Sequence, residues 1–272
     1  MKILVALDNS PAGPAVLAGA RALAPLLHAE VEAVHVRADG SSTAHTAAEA
    51  AGVPFRVVRG HVVDRLVAEG GAPDVVAVAI GSRGSTAARR PLGGTAAAVA
   101  TTLRKPVLVV PPEADPPSAY RRVLVPLEGT VSSSLAPRTI FELAAGAEID
   151  VLALHVHDQE SIPAFTDQPQ HEQQTWTREF LRRYCPWGFG DVRLETRVGR
   201  SGELIPAVAE ERECDLIALG WSQELAAGRA PVVRETLERT HRPVLLVPVL
   251  VVAEPDEGSA GAPPARTLHS GR

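Results

Sequence analysis

The feature that most constrains this chain is that it is written twice. Residues 2–9, Lys-Ile-Leu-Val-Ala-Leu-Asp-Asn, recur at 122–129 as Arg-Val-Leu-Val-Pro-Leu-Glu-Gly. Residues 31–36, Val-Glu-Ala-Val-His-Val, recur at 151–156 as Val-Leu-Ala-Leu-His-Val. The run 74–81, Asp-Val-Val-Ala-Val-Ala-Ile-Gly, returns at 215–220 as Asp-Leu-Ile-Ala-Leu-Gly, and Lys-Pro-Val-Leu-Val-Val-Pro at 105–111 returns as Arg-Pro-Val-Leu-Leu-Val-Pro at 242–248. Four landmarks in the same order predict two tandem copies of one domain. The Pro-rich run at 111–117 can extend neither a strand nor a helix and reads as the connection. The expected division is a first domain at 1–111, a linker at 112–119, a second domain at 120–250 and a tail at 251–272. The tail loses apolar periodicity and gains Gly, Pro, Ser and Glu, so disorder is expected there.

Each landmark is a short continuous apolar run rich in Val, Leu and Ile, the pattern of strands buried on both faces of a parallel sheet. Helical patterns lie between them. Residues 12–27 are Ala- and Leu-rich, with Ser10 placed to cap the first turn. Residues 61–70 carry Val62, Val63, Leu66 and Val67 at helical spacing and stop at Gly70-Gly71. A third helix is expected at 95–103, and a fourth, opened by the second part of the Gln-rich stretch 158–178, runs to Tyr184 with Trp176, Phe180 and Leu181 facing inward. Alternating strand and helix predicts an α/β class protein of two tandem doubly wound parallel-sheet domains. Ligands of such sheets bind at the carboxyl ends of the strands, where strand order reverses.

Composition excludes several other functions. With 45% apolar and 22% charged residues the chain is ordinary for a globular protein, and with 4% aromatic residues its core must be aliphatic. A net charge of −5 gives no nucleic-acid footprint. No apolar run approaches the roughly 20 residues that span a bilayer. The start, Met1 to Val5, meets Asp8 without a small-residue cleavage site, so no leader and a cytoplasmic location are expected. Cys185 and Cys214 have no metal or redox spacing and read as idle thiols. His35 and His155, at equivalent positions inside apolar strands, read as packed, hydrogen-bonded histidines, and His61, His157 and His241 as surface residues.

The strongest local signal follows the run 74–80. It reads Gly81-Ser82-Arg83-Gly84, then nine residues, then Gly94-Thr95. A Gly-rich turn between strand and helix can aim successive backbone N–H groups at one anion. A helix starting near Thr95 adds its free N–H groups and the positive end of its dipole. Arg83, Arg89 and Arg90 stand ready to meet a polyphosphate. The loop is neither a Walker A loop nor a Gly-x-Gly-x-x-Gly fingerprint.

With these residues in place the chain resembles the universal stress protein family, whose nucleotide-binding pattern Gly-x2-Gly-x9-Gly-Ser/Thr is matched without a gap by Gly81, Gly84, Gly94 and Thr95. The flanks at 5–10, 34–36 and 105–110 match as well, and the resemblance spans about residues 1–250. It implies an adenine-nucleotide α-hydrolase-like, Rossmann-like fold that binds ATP, with Mg²⁺, in a stress-response regulator that turns over slowly or not at all. By position it implies that Asp8 approaches the ribose and metal region, that Ala6, Leu7 and Ser10 line the adenine and ribose end, and that the backbone at Val36 reads the adenine edge. Gly81, Arg83, Gly84, Gly94, Thr95 and Ala96 take the phosphate-cradle positions. Unidentified protein partners are implied. The fused copies form a pseudo-dimer, or dimerise again through the closing strands at 106–110 and 243–250. A nucleotide-free scaffold, a slow ATP hydrolase and a cyclic-nucleotide binder stay open as alternatives.

The second copy departs from the motif. Glu128 replaces Asp8, the loop reads Gly220-Trp221-Ser222-Gln223, and Pro231-Val232 falls where Gly94-Thr95 should be. Proline removes an N–H donor and valine a hydroxyl. Nucleotide is therefore expected in the first copy alone. The second is expected to stand in for a partner subunit, with Trp221 placed to plug the old site.

Overall fold

A computed structural model describes residues 1–37, 43–83, 92–127, 149–157, 175, 177–182, 192–225 and 229–249. Gly84, Arg89, Arg90, Glu128, Trp176, Tyr184, Cys185 and the segment 251–272 lie outside the described residues. The first half runs β1 (Lys2–Ala6), α1 (Gly13–Leu23), β2 (Glu30–Arg37), α2 (Thr43–Ala50), β3 (Phe55–Arg59), α3 (Val62–Gly70), β4 (Val75–Gly81), α4 (Gly94–Thr102) and β5 (Val107–Val110). The second half runs β6 (Arg122–Pro126), β7 (Asp150–His157), β8 (Arg193–Val198), α5 (Ser201–Glu211), β9 (Leu216–Trp221), α6 (Pro231–Arg239) and β10 (Val244–Pro248).

All ten strands join one sheet in the order β3-β2-β1-β4-β5-β10-β9-β6-β7-β8. Each half is therefore a parallel 3-2-1-4-5 sheet, with its order reversing between the first and fourth strands. The halves meet where β5 and β10 pair antiparallel, with Val244 opposite Val109 and Leu246 opposite Val107. The two closing strands thus satisfy each other's edge within one chain. Their pairing also fixes the alignment of the repeats. Gly81 pairs with Val110 and Gly220 with Val247, the equivalent residues of the two closing strands.

The apolar runs became strands because both sheet faces are covered. Leu4, Val78, Val109, Leu124, Ile217 and Leu246 fall in one core cluster, while Ile3, Val5, Leu108, Val110, Val123 and Leu245 fall in another. Truncating a residue such as Leu4 or Leu124, both fully buried, costs about 2–5 kcal/mol. The outer strands β3 and β8 were not legible as landmarks, because Arg56, Arg59, Arg193, Glu195 and Arg197 interrupt their apolar pattern. The connection to the second half is anchored rather than loose. Tyr120 is buried against α1, with its hydroxyl 3.2 Å from where a Cβ on Gly19 would stand. That burial, with the charge of Asp215 a lesser cause, raises its phenol well above the ordinary value.

Three local expectations are corrected. Helix α1 starts at Gly13 with Ala12 as its cap residue and no side-chain cap, so Ser10 does not cap it; instead the Ser10 N–H donates to Asp8 Oδ1 at 2.9 Å, an Asx turn. His157 is buried, not a surface residue, and lies edge-on to His155 with ring centroids 4.3 Å apart. Trp221 is buried in the core at the end of β9 and does not line the second half's cleft. Phe180 and Leu181 do pack against the core, and Cys214 is buried in apolar surroundings that push its thiol up to about 11.

Candidate functional site

The order reversal in the first half opens a cleft above the carboxyl ends of β1 and β4. Strand β1 delivers Ala6, Leu7 and Asp8 to it, β2 delivers Val36, and β4 delivers Gly81 and Arg83. The start of α4 closes the far side with Gly94, Thr95 and Ala96. Together with Ser10, ten of the eleven residues singled out from sequence thus line one cavity of about 300 Å³. The eleventh, Gly84, lies outside the described residues.

Backbone geometry makes the α4 end of this cavity a donor surface. The helix starts from Gly93 in an extended conformation with no side chain capping it. Its first N–H groups have no intrahelical acceptor, and they point the positive end of the helix dipole at the cavity, where an anion would be favoured. The base of the loop is held shut by the Gly93 N–H, which donates to the Ser82 carbonyl at 2.7 Å. Gly94 needs no unusual conformation: it is not among the positive-φ residues, and among the described residues a Cβ added there meets nothing within 4 Å. Packing among the described residues therefore gives no reason for glycine at 94. A Cβ there would project toward the cavity, where a close-lying ligand would feel it. A Cβ on Gly81 would make only ordinary contacts, the nearest at 3.6 Å to the Arg83 carbonyl.

The charges are sparse. Asp8 is the lining carboxylate and Arg83 the lining guanidinium. Arg83 Nη2 stands 3.8 Å from Glu113, and its Nε is buried without a hydrogen-bond partner among the described residues. Among the described residues no group of three or more His, Cys, Asp or Glu could hold a metal ion. A divalent cation here would depend on Asp8 and on oxygens brought by a ligand.

Residues not singled out as site residues from sequence complete the apolar wall: Val16 of α1, Val62 and Leu66 of α3, and Ile80 of β4. The helical apolar stripe of 62–67 was the signal for two of them, but periodicity cannot say that a stripe faces a cleft. His35 has a double position. Its Nδ1 hydrogen-bonds the Leu7 carbonyl at 2.8 Å, as expected of a packed histidine, and its ring also lines the cavity. A carbonyl only accepts, so Nδ1 carries the proton. His155 repeats the bond to the Leu127 carbonyl at 2.7 Å in the second half.

The equivalent cleft of the second half persists as a cavity of about 230 Å³, with different walls. Leu127, Leu154, Ile205, Leu219 and Val232 face it, and Ser201 carries its side-chain hydroxyl. Helix α6 does start at Pro231, as the count from sequence placed it, and its cap residue Ala230 is left-handed at φ 44°.

Known sequences and structures account for this arrangement. The profile of the universal stress protein family matches residues 119–248. That segment belongs to the universal stress protein family. No curated protein matches the chain in sequence at a significant level. Among solved structures, a functionally unknown protein from Pseudomonas aeruginosa PAO1 aligns over 91% of this chain and 92% of its own, with a TM-score of 0.67 at 15% identity. A universal stress protein from Archaeoglobus fulgidus DSM 4304 aligns over 90% of this chain and 97% of its own, with a TM-score of 0.64 at 15% identity. At that identity the two establish the fold: both halves, in one chain, share the architecture of a universal stress protein. The profile falls on the half whose loop departs from the glycine pattern. No helix among the described residues is long and apolar enough to cross a membrane.

Proposed function

We propose that this chain is an ATP-binding universal stress protein whose nucleotide site lies in the first half alone, and that it acts as a cytoplasmic regulator through protein partners rather than through turnover. The observation that carries the reading is the convergence of Asp8, Gly81, Arg83, Gly94 and Thr95 on one cavity at the strand-order reversal. The donor set fits an adenine nucleotide. The apolar wall of Ala6, Leu7, Val62 and Leu66 suits a base, the α4 terminus and Arg83 suit phosphates, and Asp8 suits a ribose hydroxyl or a phosphate-borne Mg²⁺. A cavity near 300 Å³ is at the small end for such a ligand. The second half offers a cleft whose lining has no charged side chain among the described residues, and it serves as the built-in partner, its β10 closing the first half's sheet.

Calorimetric titration of ATP with Mg²⁺ tests this. One site per chain is expected. Two sites overturn the restriction to the first half. A response to cyclic AMP but not to ATP changes the ligand, and no binding of either leaves a nucleotide-free scaffold.

A further inference from the structure

The second half's altered loop makes a contact that the glycine motif does not explain. Gln223 stands where the motif has Gly84, since Gly220 and Gly81 are register equivalents and each position lies three residues on. Its own backbone is left-handed, at φ 62°. A non-glycine residue pays roughly 1–2 kcal/mol for that conformation. Its side chain does not turn to its own half. The Gln223 Nε2 donates to the carbonyls of Leu103, at 2.7 Å, and Ala100, at 3.1 Å. Both carbonyls belong to the C-terminal end of α4, which leaves its last carbonyls without intrahelical donors. The helix whose first turn forms the candidate anion cradle is thus capped at its other end by the opposite half.

Helix α4 needs such an anchor. It has nine residues, Gly-Thr-Ala-Ala-Ala-Val-Ala-Thr-Thr, and only Ala96, Val99 and Ala100 are buried. A helix this short is marginal alone, and small side chains give it little packing to fix its axis. We propose that Gln223 is a positioning residue for the first half's anion site: it fastens the C-terminus of α4 to the second half and so sets where the N-terminal N–H groups point. This rests on the nucleotide reading of that site. It gives the degenerate loop a task, because a glycine at 223 would supply the turn and lose the cap. By linkage, a ligand that orders α4 from its N-terminus also orders the 222–225 loop that holds its C-terminus.

Two full-length variants test it. Q223G removes the amide while relieving the backbone, so it folds. Q223E sets a carboxylate against two carbonyls and the negative end of the helix dipole. In calorimetry with Mg-ATP, Q223G is expected to bind roughly 5-fold more weakly than wild type, and Q223E more weakly still. In hydrogen exchange, Mg-ATP is expected to protect amides 222–225 in the wild type and to lose that effect in Q223G, a transfer that a purely stabilising contact would not show. Wild-type affinity in both variants, or unchanged exchange at 222–225 on binding, overturns the role of Gln223 while leaving the nucleotide site standing. No binding by the wild type overturns the site and this inference together.

Discussion

The two clefts of this molecule share a fold position and differ in how each uses glycine, proline and charge. In the first half Gly94 opens a helix at the edge of the cavity, and Asp8 and Arg83 line it too. In the second, Pro231 and Val232 open the equivalent helix, and aliphatic side chains share the wall with Ser201 and no charged side chain among the described residues. Yet the strands below the two clefts are near copies, in the same order, with the same histidine bond to the carbonyl that follows the first strand. The strands below each cleft keep their core contacts whether or not the loop above carries the glycine pattern. A tandem repeat can therefore keep charged side chains in one cleft and drop them from the other while both halves stay folded.

The sharpest way to break this comparison is to fill the first cradle. G94V is expected to weaken ATP binding by about 100-fold, or ~2.7 kcal/mol, in calorimetry. Its stability should stay within about 1 kcal/mol, since a Cβ there meets nothing among the described residues and valine has a slightly better helix propensity than glycine. Equal loss of stability and affinity would mean that Gly94 is a packing residue after all.

The second half's Gly202 should behave in the opposite way. A Cβ there would come within 2.4 Å of the Glu235 side chain, because α5 and α6 touch at that point. The G202A variant is expected to destabilise by about 1–3 kcal/mol in urea unfolding, with ATP affinity unchanged. A neutral G202A would mean that Glu235 moves aside freely.

R83A removes the lining guanidinium and is expected to weaken ATP about 10-fold, with a shallower salt dependence. Serine at the equivalent loop position, Ser222, offers no such charge, and S222A should leave binding as it is.

The smallest effect is electrostatic and common to both halves. Burial alone would raise the Glu32 carboxyl, but hydrogen bonds from Lys2 and Arg56 outweigh it and hold the pKa below 4.5. Arg56 also lowers Glu69, and Arg212 and Arg197 overcome burial to lower Glu195. Carboxyls lowered on folding contribute stability above their unfolded value, and it is lost as pH falls below about 4.5 through the lowered range. The E32Q variant is expected to lose about 1 kcal/mol at pH 7, with the deficit shrinking as pH falls below about 4.5, measured by urea midpoints. A deficit that does not shrink with pH would assign the loss to packing.

Much of this was written in the chain. The repeat and the apolar runs determined ten parallel-type strand positions only in part: the eight inner strands were legible because both faces are buried, and β3 and β8 were not, because solvent and ion pairs occupy one side of each. The spacing of Gly81, Gly94 and Thr95 from the ends of their elements was enough to bring the cradle to one cavity, since a strand end and a helix start are fixed by local chemistry. Trp221 and His157 were misjudged because each depends on what packs over it from elsewhere in the chain, and Ser10 because its N–H turns back to Asp8 and the helix starts only at Gly13.

The sequence by itself determined the doubly wound class, the tandem copies and the place of the cleft, because these follow from hydrophobic period and from glycine and proline at strand and helix ends. Only the tertiary structure decided that β5 and β10 pair with each other, that α3 walls the cleft, and that Gln223 reaches the far end of α4. Those are contacts between segments distant in sequence, up to 123 residues for Gln223 and Ala100, and no local pattern encodes which partner a buried edge or an orphan carbonyl will meet.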